Sequence, residues 1–155
     1  MILKNKIFKI TCDGGAATGK STGAKLIAKK YGLAMLSSGL LYRYASYMLL
    51  KHKPKSKISF LKKKFRNLNY KKLNKINLHT SGISDYSAII AKNKYVRNIL
   101  KECQKKFIYK NKGCVLEGRD ASTKILPKSD VKFYFICNLN IAAKRRFKEL
   151  KKKNK

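Results

Sequence analysis

Eight consecutive residues, Gly14-Gly15-Ala16-Ala17-Thr18-Gly19-Lys20-Ser21, carry the strongest chemistry in the chain. They fit the pattern G-x-x-x-x-G-K-[ST] without a gap. Glycines let such a loop wrap an anion with its backbone N–H groups turned inward. A helix that starts at the end of the loop presents its own N-terminus to the same anion. Lys20 would then reach the outer phosphate oxygens as a mobile charge, and the Ser21 hydroxyl is placed to ligate Mg²⁺. The whole run from Gly14 to Thr22 is therefore a candidate phosphate cradle for a nucleoside triphosphate.

Such a loop works only between a strand and a helix, and the flanking pattern supplies both. Residues 7–12 (IFKITC) form a short apolar run rich in β-branched side chains, which predicts a buried strand. Ala24, Ile27, Ala28 and Tyr31 share one face of a predicted helix over 20–31, and Gly32 supplies its stop. Residues 33–36 predict a second strand and 40–50 a second helix, opened near Ser38-Gly39. The stretch 51–80 is Lys-rich with sparse apolar anchors such as Phe60, Leu61 and Phe65, and reads as a small, mobile, largely surface lobe. Helix is predicted over 85–110, broken near Asn93, which would cap its second half. There Val96, Leu100, Cys103 and Phe107 form the core stripe, while Arg97 and Gln104 lie on another face. Residues 113–117 and 131–137 predict two more buried strands, and a last helix begins near Asn140. Strands alternating with helices imply an α/β fold, a parallel sheet with helices on both faces.

The loop names a superfamily and leaves the acceptor open. Three further segments narrow the choice. The run from Asp13 to Thr22 resembles the D-G-P-A-G-S-G-K-S-T opening of bacterial cytidylate kinases. Leu36-Ser37-Ser38-Gly39-Leu40-Leu41-Tyr42-Arg43 is similar to their L-D-[ST]-G-A-x-Y-R segment. Glu117-Gly118-Arg119-Asp120, with Thr123 and Pro127, resembles their [DE]-G-R-D-x-G-T-x-x-x-P block. Val96-Arg97 with Gln104 and Phe107, and Arg145-Arg146, add weaker matches in the family's order. The resemblance implies a P-loop nucleoside monophosphate kinase fold that moves the γ-phosphoryl of ATP, with Mg²⁺, to CMP or dCMP. It implies that Arg43 and Arg119 grip the acceptor phosphate, as planar guanidinium groups can. Ser38 and Tyr42 would line that pocket, and Arg97 and Asp120 would face the cytosine edge. Asp120 accepting from the exocyclic amine would disfavour UMP. Lys20, Arg119 and one of Arg145 or Arg146, with Arg145 the first choice, would act on the transferring phosphoryl. Read without the resemblance, Arg43 could be an exposed helix residue, Arg119 and Asp120 an ion pair with each other, and Arg145-Arg146 a solvated tail.

The match also has departures. Gly15 stands where the family has Pro, and Ala17 where it has Gly, a change compatible with the cradle only at negative φ. Ser37 replaces an Asp, and Ala88 falls where a base-contacting Ser is expected, with Ser87 beside it. The expected organisation is one domain over 1–155, with a short inserted acceptor-binding lobe at 51–84 and the start of an incomplete lid at 145–155. The family's further strand and helix are missing after Lys155, so truncation and a bare edge on the last strand are expected.

Composition bounds the remaining classes. No apolar run reaches the roughly 18 residues a membrane span needs, and the basic N-terminus lacks an apolar signal region. Four scattered cysteines without a C-x-x-C pair, three of them in predicted strands, fit a reduced, cytoplasmic setting. His52 and His79 have no partners at metal-ligand spacing. The net charge of +32 invites a nucleic-acid reading, yet the lysines are spread over the whole length without aromatic interleaving. Specific nucleic-acid binding is not expected, and a positive field would help collect phosphorylated small molecules. The competing readings are a non-catalytic nucleotide- or polyanion-binding remnant and another small-acceptor kinase. A monomer is expected, with self-association through the bare strand edge as the alternative.

Overall fold

The computed structural model describes residues 7–73 and 75–153. The basic opening, residues 1–6, and the end of the 145–155 segment, residues 154–155, lie outside the described residues. The first strand, β1 (Lys9–Gly14), runs into the glycine-rich loop, and α1 (Lys20–Tyr31) leaves it. Gly32 ends α1 in the left-handed conformation at φ 63°, which costs glycine little. β2 (Ala34–Ser37) passes directly into α2 (Ser38–His52), whose first turn is capped by the Ser37 hydroxyl accepting from the Leu40 N–H at 3.4 Å. Three shorter helices follow: α3 (Lys57–Arg66), α4 (Tyr70–Leu73) and α5 (Ser81–Ile90). The long α6 (Lys94–Lys110) starts at Asn93, whose side-chain oxygen accepts from the Tyr95 and Val96 N–H groups at 2.9 and 3.2 Å. β3 (Cys114–Gly118), a single π-helical turn over Ala121–Ile125, β4 (Val131–Phe135) and α7 (Leu139–Lys153) complete the described residues.

The four strands among the described residues are all parallel, in the order β2-β3-β1-β4. Ile10, Cys12 and Val115 turn one face of the sheet toward Ala24 and Ala28 of α1. Leu36, Cys114 and Leu116 turn the other toward a larger core built from α2 and α6. The register aligns Asp13 with Gly118, Gly14 with Phe135 and Ser37 with Glu117, so the strands end together. In parallel α/β sheets, ligands bind outside these carboxyl ends. No helix among the described residues is long and apolar enough to cross a membrane.

The segment after residue 50 is mostly exposed, and its apolar anchors Leu61 and Phe65, one helical turn apart on α3, are fully buried in the main core together with Leu73. The Tyr70 hydroxyl donates to the Cys103 carbonyl at 2.7 Å and the Cys103 thiol to the Phe65 carbonyl at 3.4 Å, tying this segment to α6. The lysines on α3 point outward, on the side away from this apolar stripe. Two expectations need correction. First, β4 is not buried: Lys132, Phe133 and Tyr134 are exposed, and among the described residues β4 pairs only with β1, at the edge of the sheet as expected. Cys137 lies beyond its end. Second, β1 begins and ends two residues later than its apolar run, since its ladder continues through Asp13 and Gly14 beside neighbouring strands.

Candidate functional site

The glycine-rich loop leaves β1 under tight steric control. Gly14 has φ 153°, and a Cβ there would sit 2.5 Å from the Phe135 carbonyl oxygen, so the residue lets the loop pass close to β4. Gly19 has φ 89° and opens α1 with no side chain capping the helix. The first N–H groups of α1 are thus left for an outside acceptor, whereas side chains cap α2, α5 and α6. The Thr18 hydroxyl steadies the loop by donating to the Gly15 carbonyl at 3.1 Å. Ser21 and Thr22 stand exposed on the first turn of α1.

Ala17 departs from what its side chain prefers. Its φ is 57°, in the left-handed region, and not the negative φ expected of an alanine at this position. The conformation costs an alanine about 1 kcal/mol relative to glycine. Ala17→Gly is therefore expected to raise the unfolding free energy by about 1 kcal/mol in a denaturant titration. A loss of stability would show that the loop does not hold this conformation in solution.

Lys20 lies inside the loop. Its ammonium group donates to the Gly15 carbonyl at 3.1 Å and pairs with the Glu117 carboxylate at 3.3 Å. The Glu117 side chain is 5% exposed, so the pair links the loop to the end of β3 almost out of water. Asp13 provides another link. Its two oxygens accept from the backbone N–H groups of Ala121 and Ser122 at 2.8 and 2.7 Å. Burial, together with Glu117 and Asp13, pushes the Cys12 thiol up to about 11, so it stays protonated near neutrality.

The residues expected at the acceptor come from α2, α6 and the turn after β3. Asp120 forms an ion pair with Arg97 of α6 and none with its neighbour Arg119. Tyr42 of α2 feels both members of that pair: burial raises its phenol, Arg97 opposes the rise and Asp120 adds to it. Arg119 is solvent-exposed and makes no ion pair with a described residue. Arg43 is half-buried one turn from the start of α2, where a Cβ on Gly39 would lie 3.2 Å from its guanidinium. Ser38 is buried, and its hydroxyl donates to the Gln104 side-chain oxygen at 2.7 Å. Gln104 in turn donates to the Leu100 carbonyl at 3.3 Å, so it faces the core while Arg97 faces solvent. Ser38 and Gln104 thus brace α2 against α6. Ser87 donates to the Ser84 carbonyl at 2.6 Å, within its own helix.

Arg145 reaches the loop from α7. A Cβ on Gly19 would lie 4.0 Å from its Nη1, which donates to the Cys137 sulfur at 3.8 Å. The structure thus brings Lys20, Ser21 and Arg145 to the loop, and Tyr42, Arg97 and Asp120 to a neighbouring cluster. Asp13 and Glu117 were not among the candidates read from the sequence. The available signal was an acidic residue at the last turn of a buried strand, directly before a glycine, at both positions.

Comparison with known proteins identifies the family. The family model described as cytidylate kinase matches residues 10–155. The cytidylate kinase of Bartonella tribocorum is 39% identical over 153 residues, covering 96% of this chain and 69% of the relative. That of Thermosipho melanesiensis is 37% identical over 155 residues, with 94% and 70% covered. That of Mesorhizobium japonicum is 34% identical over 145 residues, with 93% and 67% covered. With a parallel sheet that delivers the glycine-rich loop and the Gly118-Arg119-Asp120 turn to one end, and a match across nearly its whole length, the chain belongs to the cytidylate kinase family.

Proposed function

We propose that this chain transfers the γ-phosphoryl group of ATP to the phosphate of CMP or dCMP, giving ADP and CDP or dCDP. The observation that carries the reading is the Arg97–Asp120 pair, which joins α6 to the turn that follows β3 and is linked through β3 to the glycine-rich loop. A phosphate oxygen of the acceptor would attack the γ-phosphorus as the bond to the β-bridging oxygen breaks. No side chain is needed as a base, because the acceptor phosphate is already an anion and catalysis is positioning plus charge neutralisation.

The loop from Gly14 to Thr22 would hold the ATP phosphates through its backbone N–H groups. Lys20 would exchange Glu117 for phosphate oxygens, and Arg145 would approach the transferring group from α7. Ser21, exposed where the loop meets α1, fits a hydroxyl ligand for Mg²⁺. When bound, Mg²⁺ neutralises charge on the phosphates. Arg43 and Arg119 would clamp the acceptor phosphate with Tyr42 beside them, and Ser38 would serve from beneath by holding α2. The 51–84 segment is read as the acceptor-side lobe and 145–155 as the start of a lid. The unit is read as a monomer, with the open edge of β4 the place where copies would associate.

Cytosine offers an amine donor where uracil offers a carbonyl, and a carboxylate accepts only from the first. Asp120→Asn places an amide donor at that edge. The expected result is a fall of about tenfold or more in the ratio of kcat/KM for CMP over UMP. An unchanged ratio would remove Asp120 from base selection.

A further inference from the structure

The geometry points to Asp13 as a positioning residue that sets the acceptor clamp at a fixed distance from the nucleotide cradle; this rests on the acceptor reading above. Asp13 is 2% exposed and is the last residue before the loop's first glycine. Its carboxylate turns away from the loop and takes the N–H groups of Ala121 and Ser122, residues 108 and 109 positions later. Those two amides open the π-helical turn that directly follows Arg119 and Asp120. Inside that turn, Leu126 N–H donates to the Ala121 carbonyl at 2.8 Å and Lys124 N–H to the Asp120 carbonyl at 2.8 Å. Fixing its first amides therefore fixes where the Arg119-Asp120 backbone enters it.

A carboxylate suits this task better than a neutral side chain. It accepts at both oxygens and donates nothing, so two consecutive amides lock against it in one orientation. In the register of the sheet Asp13 pairs with Gly118, the residue just before Arg119. Asp13 is thus tied to both sides of the arginine, by a ladder partner before it and by side-chain bonds after it. Glu117 makes the complementary connection, from β3 back to Lys20 in the loop. The Asp13 bonds run from the loop strand to the acceptor turn, and the Glu117 pair runs from the acceptor strand to the loop. In a reaction that depends on holding two phosphates in line, a displacement of about 1 Å can cost about a hundredfold in rate.

Asp13→Asn keeps the shape and sets an amide donor against one of the two N–H groups. Dissociation constants for CMP and for ATP are measured by titration calorimetry in the unmodified chain, Asp13→Asn, Arg119→Ala and the double variant. Thr11→Val serves as the control, since it removes another buried polar contact of β1, the Thr11–Ser129 hydrogen bond of 3.0 Å, without touching the turn. The expected result is CMP binding weakened about tenfold by Asp13→Asn, with ATP binding within about twofold of the unmodified chain. Added to Arg119→Ala, Asp13→Asn should weaken CMP binding by less than about twofold further, because the two act through one group. Thr11→Val should move neither constant. Equal weakening of CMP and ATP, or the full factor persisting in the Arg119→Ala background, overturns the assignment. Should the unmodified chain bind no CMP, the acceptor reading fails, and amide hydrogen exchange decides the positioning claim. Faster exchange in Asp13→Asn confined to residues 118–125 supports it, and faster exchange that extends equally through residues 14–22 overturns it.

Discussion

Replacing Arg119 with alanine is expected to abolish CMP phosphorylation, lowering kcat/KM by about a thousandfold or more, while ATP binding stays within about twofold. The size follows from what a guanidinium does for a phosphate. It offers paired N–H donors in a fixed plane, and those contacts strengthen as charge develops during transfer. The selectivity of the effect follows from the structure. Arg119 is exposed and makes no ion pair with a described residue, so its removal leaves no buried partner behind. Stability should therefore change by no more than about 0.5 kcal/mol, as for an ordinary surface substitution. Steady-state kinetics together with thermal unfolding would separate the two quantities. Retained CMP turnover would place the acceptor phosphate elsewhere.

Lys20→Ala should act on both function and fold. The ammonium group is the one the glycine-rich loop would bring to the phosphates, and losing it should lower kcat by about a hundredfold or more. It also pairs with Glu117, whose side chain is 5% exposed against 14% for Lys20. Removing one member of a pair this deeply buried leaves an uncompensated carboxylate and should cost about 3 kcal/mol of stability. Glu117→Gln in the Lys20→Ala background removes that charge, so it should recover most of the stability and none of the activity. Chemical denaturation of the three proteins checks the first part and ATP turnover the second. A Lys20→Ala variant as stable as the parent would show that the pair does not form in solution.

Much of the fold was legible because its signals are local. Strands β1 and β3 carry apolar residues on both faces, as parallel strands covered by helices must, and they stand out as continuous runs. The break at Asn93 was legible because a side-chain oxygen can satisfy the first amides of a helix, and it does so for Tyr95 and Val96. The bare outer edge of β4 was expected, whereas the exposure of its faces was not legible, because its residues are as apolar as those of β3. The anchoring role of Leu61 and Phe65 was legible, since both stand out as apolar residues in a lysine-rich stretch. On a helix dense in lysine, two apolar residues one turn apart anchor the whole element, while the charged heads remain in water.

The candidate site divides in the same way. Backbone-shaped features, such as the glycines of the loop, can be recognised from residue type and spacing alone. Contacts across the sheet cannot, and those are where Asp13, Glu117 and the Ser38–Gln104 bond reside. Ser38 belongs to a motif segment, yet its hydroxyl is spent on a partner 66 residues away. One compositional clue was available and unused. The chain has 7 acidic residues against 39 basic ones, and Asp13, Glu117 and Asp120 stand together at the ends of β1 and β3. Acids so scarce, gathered at one end of a sheet, mark the place where cations must be held in position.

The most direct test of the central claim is an acceptor panel. Purified protein is given ATP and Mg²⁺ with CMP, dCMP, UMP or AMP in turn, and ADP release is followed. Turnover confined to the two cytidine nucleotides is the predicted result. Comparable turnover with UMP or AMP, or ATP binding that depends on Lys20 with no acceptor phosphorylated, would contradict it.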